Sequence, residues 1–404
     1  MQSAARKKSE VSSSKRRIML VGMADSVHVA RWLKNVLGES ELEILIIPTS
    51  PHRFIHSDIR STLQANRSSS SQVRIHSFLR YASLVIWLLD RPLLWGGRLR
   101  AIFLRDSIRK FKPDLVHIME TQNGGYAYLS YSDANSVKES LRTYKLVLTL
   151  FGSDLYWFSR FERHRHKLEK LLPKIDILAA ECTRDIELAM ELGFAGDVAP
   201  LSPVSGGLSP TQISKPDNDE EFFARDIIAI KGYGGTWGLG HLAIKAVAQN
   251  YEFLQDLKVV IFSAESKAKR AAKKYLRPLK IEYYLFPKFS LSHREMLALF
   301  KKSLIYIGLS KSDGLPASML EAMSQGAFPV QTSSACTDGW FDPDVTGQLV
   351  DVNNTEEIHI SLADLLRNRV QIRKAQKANL EMIESKYSTS TMSSQITYGS
   401  LLKL

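Results

Sequence analysis

The chain has 404 residues, of which 44% are hydrophobic and 24% are charged, and its formal net charge is +12. This length predicts two domains of ordinary globular composition. The positive charge suits anionic lipids or anionic substrates, but the basic residues are scattered and follow no nucleic-acid-binding motif, so nucleic acid is not an expected partner. The two cysteines, Cys182 and Cys336, predict neither a disulfide framework nor a metal cluster, which favours a reducing cytoplasm.

The N-terminal half alternates short apolar strands with helices. Residues 1–17 are rich in Ser, Lys and Arg and are expected to be disordered. The pattern then predicts strands over 17–22, 42–48, 113–118, 145–150 and 175–180, with helices over 27–37, 163–172 and 185–192. Short apolar strands that alternate with helices predict a parallel sheet covered on both faces.

One apolar stretch stands out in this half, from Leu84 to Leu89, and it resumes at Leu93-Leu94-Trp95. It is too short to span a membrane. Basic residues surround it: Arg80, Arg91, Arg98, Arg100, Arg105, Arg109 and Lys110. Two interpretations are open, a face that lies on an anionic membrane or a buried core helix followed by a solvated basic helix.

The alternating pattern stops near residues 203–207 and in the polar stretch 215–221, which predicts a linker, and then restarts. Strands are predicted over 226–230, 258–262, 282–285, 304–308, 328–332 and 347–350, and helices over 239–249, 292–301, 317–325 and 355–367, followed by a long terminal helix. Each half therefore predicts an open doubly wound sheet. In such sheets ligands bind beyond the carboxyl ends of the strands, which here means the cleft between two domains.

The stretch SDGLPASMLEAMSQGAFPVQT, residues 312–332, combines a loop, a short helix and a strand. Ser312 or Asp313 is the expected N-cap, and Pro316 suits the first helical turn. Glu321 lies in the helix among Met, Leu and Ala, so its carboxylate is expected to be partly buried and to need a partner. Both a pair of ligand hydroxyls and an Arg or Lys from elsewhere in the chain are open as that partner.

A glycine-rich stretch, KGYGGTWGLG, runs from Lys231 to Gly240 where a strand meets a helix. Glycines there allow backbone N–H groups to approach a phosphate, whose charge Lys231 can neutralise. The spacing fits neither G-x-G-x-x-G nor a P-loop, and an ordinary turn is the alternative. His52 and His56 lack a third ligand, so no metal site is expected.

Together these motifs resemble the retaining glycosyltransferases of the GT-B fold, in the group called glycosyltransferase family 4 or group 1. The family pattern is Glu-x7-Glu followed by Ala-Met, Gly and a Pro-Val strand. Its counterparts here are Asp313, Glu321, Ala322-Met323, Gly326 and Pro329-Val330, and residues 346–350 (TGQLV) are similar to the next family element. Weaker similarities span nearly the whole chain in the family's order: Ser26 to His28 with Arg31-Trp32, residues 112–117, residues 152–154 and residues 203–207.

The resemblance implies a donor site in the C-terminal domain. Glu321 would bind the ribose hydroxyls of a nucleotide sugar, and Asp313 would face the transferred sugar. Lys231 would stabilise the diphosphate as it leaves, which is electrostatic catalysis. Gly232, Gly314 and Leu315 complete the predicted donor site.

The resemblance also implies that the N-terminal domain binds the acceptor, through residues near Asp25, His28, Glu120 and Asp154. Closure of the two domains would exclude water from the cleft. The expected boundaries are residues 18–205 for the N-terminal domain and 206–385 for the C-terminal domain. A final helix over 386–404 is expected to pack back on the N-terminal domain.

The implied activity is retaining transfer of a sugar from a nucleoside-diphosphate sugar to a glycan or lipid-linked acceptor, in surface polysaccharide synthesis. The expected place is the cytoplasm, at the inner face of the cell membrane, with no cofactor and no metal. Three departures from the family are Asp313 for the usual first Glu, Phe151 for a common His, and Lys231 with Trp237 for an Arg and Lys pair. They keep two alternatives open, a GT-B-fold sugar-nucleotide epimerase and a catalytically inactive binding scaffold.

Overall fold

The computed structural model describes residues 15–37, 42–49, 54–65, 72–90, 98–135, 142–204, 206–215, 224–337 and 339–388. Within these ranges the chain forms two α/β domains, each built on one parallel sheet. The predictions made for residues 1–14, 91–97, 216–221 and 389–404 lie outside the described residues. Arg16 and Arg17, which were expected in the disordered segment, instead begin the first strand.

The N-terminal sheet has seven parallel strands in the spatial order β3-β2-β1-β4-β5-β6-β7. The strands are β1 (Arg16–Gly22), β2 (Leu42–Pro48), β3 (Gln72–Ile75), β4 (Leu115–Met119), β5 (Lys145–Thr149), β6 (Ile177–Ala179) and β7 (Asp197–Val198). The helices are α1 (Val27–Val36), α2 (Ser57–Ala65), α3 (Leu79–Leu89), α4 (Arg98–Phe111), α5 (Tyr126–Ala134), α6 (Glu162–Leu171) and α7 (Thr183–Glu191).

The C-terminal sheet has six parallel strands in the order β10-β9-β8-β11-β12-β13. The strands are β8 (Ile227–Lys231), β9 (Lys258–Ala264), β10 (Tyr283–Pro287), β11 (Ser303–Gly308), β12 (Phe328–Thr332) and β13 (Gln348–Val350). The helices are α8 (Gly240–Gln249), α9 (Ser266–Ala271), α10 (His293–Lys301), α11 (Ala317–Met323), α12 (Thr355–Arg367) and α13 (Arg369–Tyr387).

The central strands are buried along their whole length, as continuous apolar runs predict. Every residue of β4, β11 and β12 is buried. Helices cover the sheets, and one apolar cluster continues from the N-terminal domain into α11 and the end of α13. The predicted pair of doubly wound domains is therefore present in the described residues.

The two domains touch directly near the carboxyl ends of their strands. A Cβ atom added to Gly152 would overlap the backbone of Gly314, so the two backbones are in contact there. Arg184 of the N-terminal domain donates to the carbonyl oxygen of Ser334 at 2.8 Å. The linker returns along α13, where the Leu208 N–H donates to the Tyr387 carbonyl oxygen at 2.9 Å.

The two cysteines also join the domains. Cys182 precedes α7 in the N-terminal domain and Cys336 follows β12 in the C-terminal domain, and the two are disulfide-bonded across 154 residues of sequence. The expectation that they form no disulfide is therefore wrong. The reason is tertiary: domain contact brings together two thiols whose sequence spacing gives no sign of a pair.

Helix α3 is not a buried core helix in the described residues. Leu79 and Ile86 are buried, but Tyr81, Val85 and Leu89 are 80%, 54% and 45% exposed. On α4, Arg100 turns inward, and its Nε lies 2.8 Å from the buried Asp90 carboxylate. None of the described helices is both long and apolar enough to cross a bilayer.

Candidate functional site

Lys231 and Asp313 meet at the carboxyl ends of two neighbouring strands. Strand β8 ends at Lys231, and the loop that contains Asp313 follows β11, which pairs with β8 in parallel. The Lys231 Nζ lies 3.1 Å from Asp313 Oδ2. Burial by itself lowers the pKa of Lys231, but the Asp313 carboxylate more than offsets it, so the pKa is raised and the ammonium stays charged.

The glycine-rich loop packs on the loop that follows β11. The Gly232 N–H donates to the Phe262 carbonyl oxygen at 2.8 Å. A Cβ on Gly232 would lie 2.8 Å from the Ala264 Cα, so only glycine allows this close approach. The Lys311 N–H donates to the Trp237 carbonyl oxygen at 2.8 Å. In this structure the Gly232 N–H, which the resemblance assigned to the donor site, is therefore occupied by the sheet.

Helix α11 begins later than the N-cap prediction requires. Its N-cap is Pro316, which makes no side-chain cap, so the prediction of Ser312 or Asp313 as N-cap is wrong. Asp313 Oδ1 instead accepts the Gly314 N–H at 3.1 Å. An N-cap side chain must stand directly before the helix. Ser312 and Asp313 are too far from its first residue, Ala317, because the loop continues through Leu315.

Glu321 is 6% exposed and has two partners. Its Oε1 accepts Arg31 Nη2–H at 2.9 Å and lies 3.2 Å from His293 Nε2. Burial by itself raises the pKa of Glu321, but the His293 hydrogen bond and the Arg31 charge outweigh it, so the pKa is lowered. The carboxylate is therefore ionised, and its ion-pair partner comes from the other domain.

The backbone amides of Gly314 and Leu315 also have partners in this structure. The Leu315 N–H donates at 2.9 Å to Oε2 of Glu181, which lies just after β6 in the N-terminal domain. The other oxygen, Glu181 Oε1, accepts the Val204 N–H at 2.8 Å. Burial raises the pKa of Glu181 to about 8. A carboxyl group of one domain thus occupies an amide that the resemblance assigned to the donor.

His28 reaches the same part of the cleft from the first turn of α1. Its ring lies 5.4 Å from the Phe151 ring, and among the described residues its Nδ1 is buried with no hydrogen-bond partner. Burial, then the Arg31 charge, lower the pKa of His28 to about 4, and Lys231, Asp313 and Glu321 also act on it. The imidazole is therefore neutral, and four charged groups surround it.

The other three predicted acceptor residues, Asp25, Glu120 and Asp154, lie on the loops that follow β1, β4 and β5. Glu120 is buried, and its oxygens accept the N–H groups of Asn123 at 2.9 Å and Gly124 at 2.6 Å. Asp154 is buried and Oδ2 accepts the Thr121 and Phe151 N–H groups, both at 3.0 Å. These two carboxylates shape their loops.

Burial raises the pKa of Glu120 to about 7 and, with the charge of Glu120, also raises the pKa of Asp154. Asp25 is half-buried in the turn between β1 and α1, and its carboxylate makes no hydrogen bond to the described residues.

Sequence reasoning gave no role to four residues that the structure brings to the cleft. They are Arg31, Glu181, Arg184 and His293. Glu181 follows a parallel strand at its carboxyl end, which is a signal that sequence reasoning can use. Arg31 was noted only as part of a motif, and nothing local marks Arg184 or His293.

Comparison with known proteins finds a family match in the C-terminal domain. Residues 240–383, which include Asp313 and Glu321, match the family model described as glycosyl transferases group 1. A search of curated proteins found no match in sequence.

Several solved structures share the fold of this protein over nearly the whole chain. The Anabaena protein HepE, crystallised with UDP, is 13% identical over 96% of this chain and 100% of its own, with a TM-score of 0.63. Sucrose-phosphate synthase from Thermosynechococcus elongatus is 12% identical over 96% and 98%, with a TM-score of 0.64. The lipopolysaccharide outer core galactosyltransferase WaaB is 13% identical over 96% and 100%, with a TM-score of 0.63.

The fold is therefore GT-B, with two Rossmann-like domains that face a cleft, as the sequence predicted. Within it, the C-terminal domain carries the sequence match to group 1 glycosyltransferases.

Proposed function

We propose that the protein is a retaining glycosyltransferase of family 4 type. It moves a sugar from a nucleoside-diphosphate sugar to a hydroxyl group of a glycan or lipid-linked acceptor in surface polysaccharide synthesis. The observation that carries the proposal is the pairing of Lys231 with Asp313, at 3.1 Å, within a domain that matches group 1 glycosyltransferases. HepE has been crystallised with UDP-glucose, which supports a nucleotide-sugar donor here.

In this proposal the C-terminal domain binds the donor. Lys231 is a charged ammonium at the strand ends, where it stabilises negative charge that develops on the leaving diphosphate. Asp313 holds Lys231 in place with one oxygen and accepts hydrogen bonds from the transferred sugar. Glu321 binds the ribose hydroxyls, and Gly232, Gly314 and Leu315 line the site. Of their three amides, only that of Leu315 is released from a protein acceptor when the domains separate, because its acceptor Glu181 belongs to the N-terminal domain. The proposed chemistry uses no metal and no cofactor.

The N-terminal domain supplies the acceptor side. His28 is neutral and has an unpartnered Nδ1 among the described residues, so it can accept a hydrogen bond from an acceptor hydroxyl. Its contact with Phe151 places an imidazole beside the position where the family commonly has a His. Asp25 lies one turn earlier, and Glu120 and Asp154 support the loops that the acceptor contacts.

The test combines binding with product analysis. UDP-, GDP- and ADP-glucose are titrated by thermal shift, and donor turnover is followed with the wild type and with Lys231→Met. Lys258→Met is the matched control, because Lys258 begins β9 at the opposite end of the same sheet. We expect donor binding and donor turnover to fall in Lys231→Met and to persist in Lys258→Met.

The products separate the alternatives. A released epimer of the sugar nucleotide without acceptor identifies an epimerase, and donor binding without turnover identifies an inactive scaffold. Inversion of the anomeric configuration in the product, read by NMR, contradicts the retaining assignment.

We also propose that the N-terminal domain contacts an anionic membrane at the inner face of the cell membrane, where a lipid-linked acceptor arrives. On α4, Arg98, Ile102, Arg105 and Arg109 follow one exposed helical stripe. Helix α3 adjoins α4 through Phe78 and Phe103, whose rings stack at 5.4 Å, and presents exposed apolar side chains. An apolar helix beside a basic stripe suits an interface with anionic lipid.

A further inference from the structure

We infer that Arg31 is a donor-binding residue which the N-terminal domain contributes, and that it exchanges partners when the donor binds. In the structure the Arg31 guanidinium is paired with the Glu321 carboxylate. When the ribose hydroxyls take Glu321, Arg31 moves to the diphosphate of the donor. The inference rests on the proposed function, and it deepens it by naming a residue that neither the resemblance nor the sequence assigned.

In this inference Arg31 and the donor ribose compete for the Glu321 carboxylate. Arg31 Nη2 lies 2.9 Å from Glu321 Oε1, and the side chains are 25% and 8% exposed. His293 contacts the same oxygen at 3.2 Å. A ribose hydroxyl that hydrogen-bonds to this same oxygen competes with Arg31 and His293 for it. Arg31 is the one carried by the opposite domain, and it therefore moves when the domains do.

The charged groups around Arg31 determine where its guanidinium can move once it leaves Glu321. Arg31 lies one turn after His28 on α1, and the His28 imidazole is within electrostatic range of Arg31, Lys231, Asp313 and Glu321. The guanidinium and the Lys231 ammonium therefore both act on the His28 imidazole. A cation displaced from its partner in a buried cleft needs another anion. The diphosphate beside Lys231 is that anion.

The proposed diphosphate site lacks one of the two cations that the family resemblance implies. Lys231 faces the proposed diphosphate from the C-terminal domain, and Trp237 occupies the place where the family resemblance implies a second cation. A guanidinium binds phosphate oxygens with two parallel N–H groups, which makes Arg well suited to that missing charge. Arg31 is thus paired with Glu321 before the donor binds and with the diphosphate afterwards. Its charge is never buried without a partner.

The experiment separates phosphate binding from nucleoside binding. Affinities of UDP, GDP and ADP, and of uridine, guanosine and adenosine, are measured by calorimetry for wild type, Arg31→Met and Lys34→Met. Lys34 lies one turn later on α1, is exposed, and controls for net charge. We expect Arg31→Met to lower the affinity for the nucleoside diphosphate that the wild type prefers by roughly ten- to a hundred-fold, the range of a charge-assisted hydrogen bond. The matching nucleoside should bind equally well or more tightly, because its competitor for Glu321 is gone.

A second pair of variants guards against misfolding. Glu321→Gln is compared with the double variant Arg31→Met/Glu321→Gln, in which neither charge is left unpaired. If Arg31 binds diphosphate, adding Arg31→Met to Glu321→Gln still weakens diphosphate binding. If Arg31 serves only as the ion-pair partner of Glu321, the added substitution changes nothing.

Three results overturn the inference. They are unchanged diphosphate affinity in Arg31→Met, an equal loss for diphosphate and nucleoside, and equal affinities in the Glu321→Gln single and double variants. If the wild type binds none of the six compounds, the proposed function itself fails. Wild-type binding with no effect of Arg31→Met removes only the role of Arg31.

Discussion

At the scale of single residues, the cleft contains charges that are paired both within one domain and across the two domains. Lys231 with Asp313 is a pair within the C-terminal domain, whereas Arg31 with Glu321 joins the two domains. Glu181 likewise reaches from one domain to an amide of the other. Each group that the proposal gives to the donor already has a protein partner, so ligand binding is an exchange of partners.

The first prediction concerns Glu321. We expect Glu321→Ala to weaken binding of the nucleoside diphosphate roughly ten- to a hundred-fold, because the ribose loses a charge-assisted acceptor. If Glu321 were a buried acid without a protein partner, its replacement by Ala would not lower the free energy of unfolding. The structure predicts a loss of about 1–3 kcal/mol, because Arg31 is left without its partner. Urea unfolding and calorimetry measure the two effects, and a stable variant with normal affinity would exclude both roles.

The second prediction concerns Glu181 and pH. Its folded-state pKa is about 8, above the ordinary value of 4.5, so the folded protein holds a proton that the unfolded chain releases. Stability from this group is therefore greatest below about pH 4.5 and falls as the pH rises toward 8, by at most about 1.4 kcal/mol per pH unit.

We expect the free energy of unfolding of the wild type to fall relative to that of Glu181→Gln across this range. Urea unfolding at pH 5, 6, 7 and 8 provides the comparison. Parallel curves for the two proteins would show that Glu181 is ionised in the folded state at all four pH values.

At the scale of elements, strand order determines which side chains meet. The neighbouring strands β8 and β11 bring Lys231 to the loop of Asp313. Helix α1 carries His28 and Arg31 one turn apart, so a single helix delivers an imidazole and a guanidinium to the cleft. Asp90 accepts the Leu99 N–H at 2.9 Å and thereby caps the start of α4, which fixes α4 relative to α3.

The third prediction concerns α3 and α4. We expect the protein to sediment with vesicles that contain anionic lipid at low salt and to dissociate at high salt, because each basic residue near the surface contributes on the order of 1 kcal/mol. Arg98, Arg105 and Arg109 are the side chains to replace with Glu. Arg100 is left unchanged, because it is paired with the buried Asp90.

The control for this experiment is Arg277→Glu, a single exposed substitution on the C-terminal domain. The triple variant should lose vesicle binding and keep nucleotide binding, because the proposed donor site lies in the other domain. Vesicle binding by the triple variant equal to that of wild type would remove α4 from the membrane contact.

At the scale of the whole molecule, the structure shows the two domains in contact at the cleft. The backbones of Gly152 and Gly314 touch, and Arg184 donates to carbonyl oxygens of Ser334 and Asp313. The bond between Cys182 and Cys336 joins the same two regions covalently. In the proposed function the donor enters past these contacts, which requires the domains to separate.

The fourth prediction follows from the position of that bond. We expect the oxidised protein to bind nucleoside diphosphate more slowly than the protein treated with dithiothreitol, because a covalent link restricts opening. Stopped-flow fluorescence measures the association rate. A Cys182→Ser/Cys336→Ser variant is the control and should be insensitive to dithiothreitol. Equal rates for the oxidised and reduced wild type would show that opening does not limit entry.

By itself the sequence determined the local structure and the fold. Strand β2 at 42–48, strand β12 at 328–332 and helix α12 at 355–367 lie where it predicted, because apolar periodicity, caps and turn residues act over short distances. It also identified the residues of one motif, Asp313 and Glu321. Only the tertiary structure decided their partners. Arg31 and Glu321 are 290 residues apart, Leu315 and Glu181 are 134 apart, and the cysteines are 154 apart. Such pairs form where two domains fold against each other, and no pattern along the chain records which side chains that contact brings together.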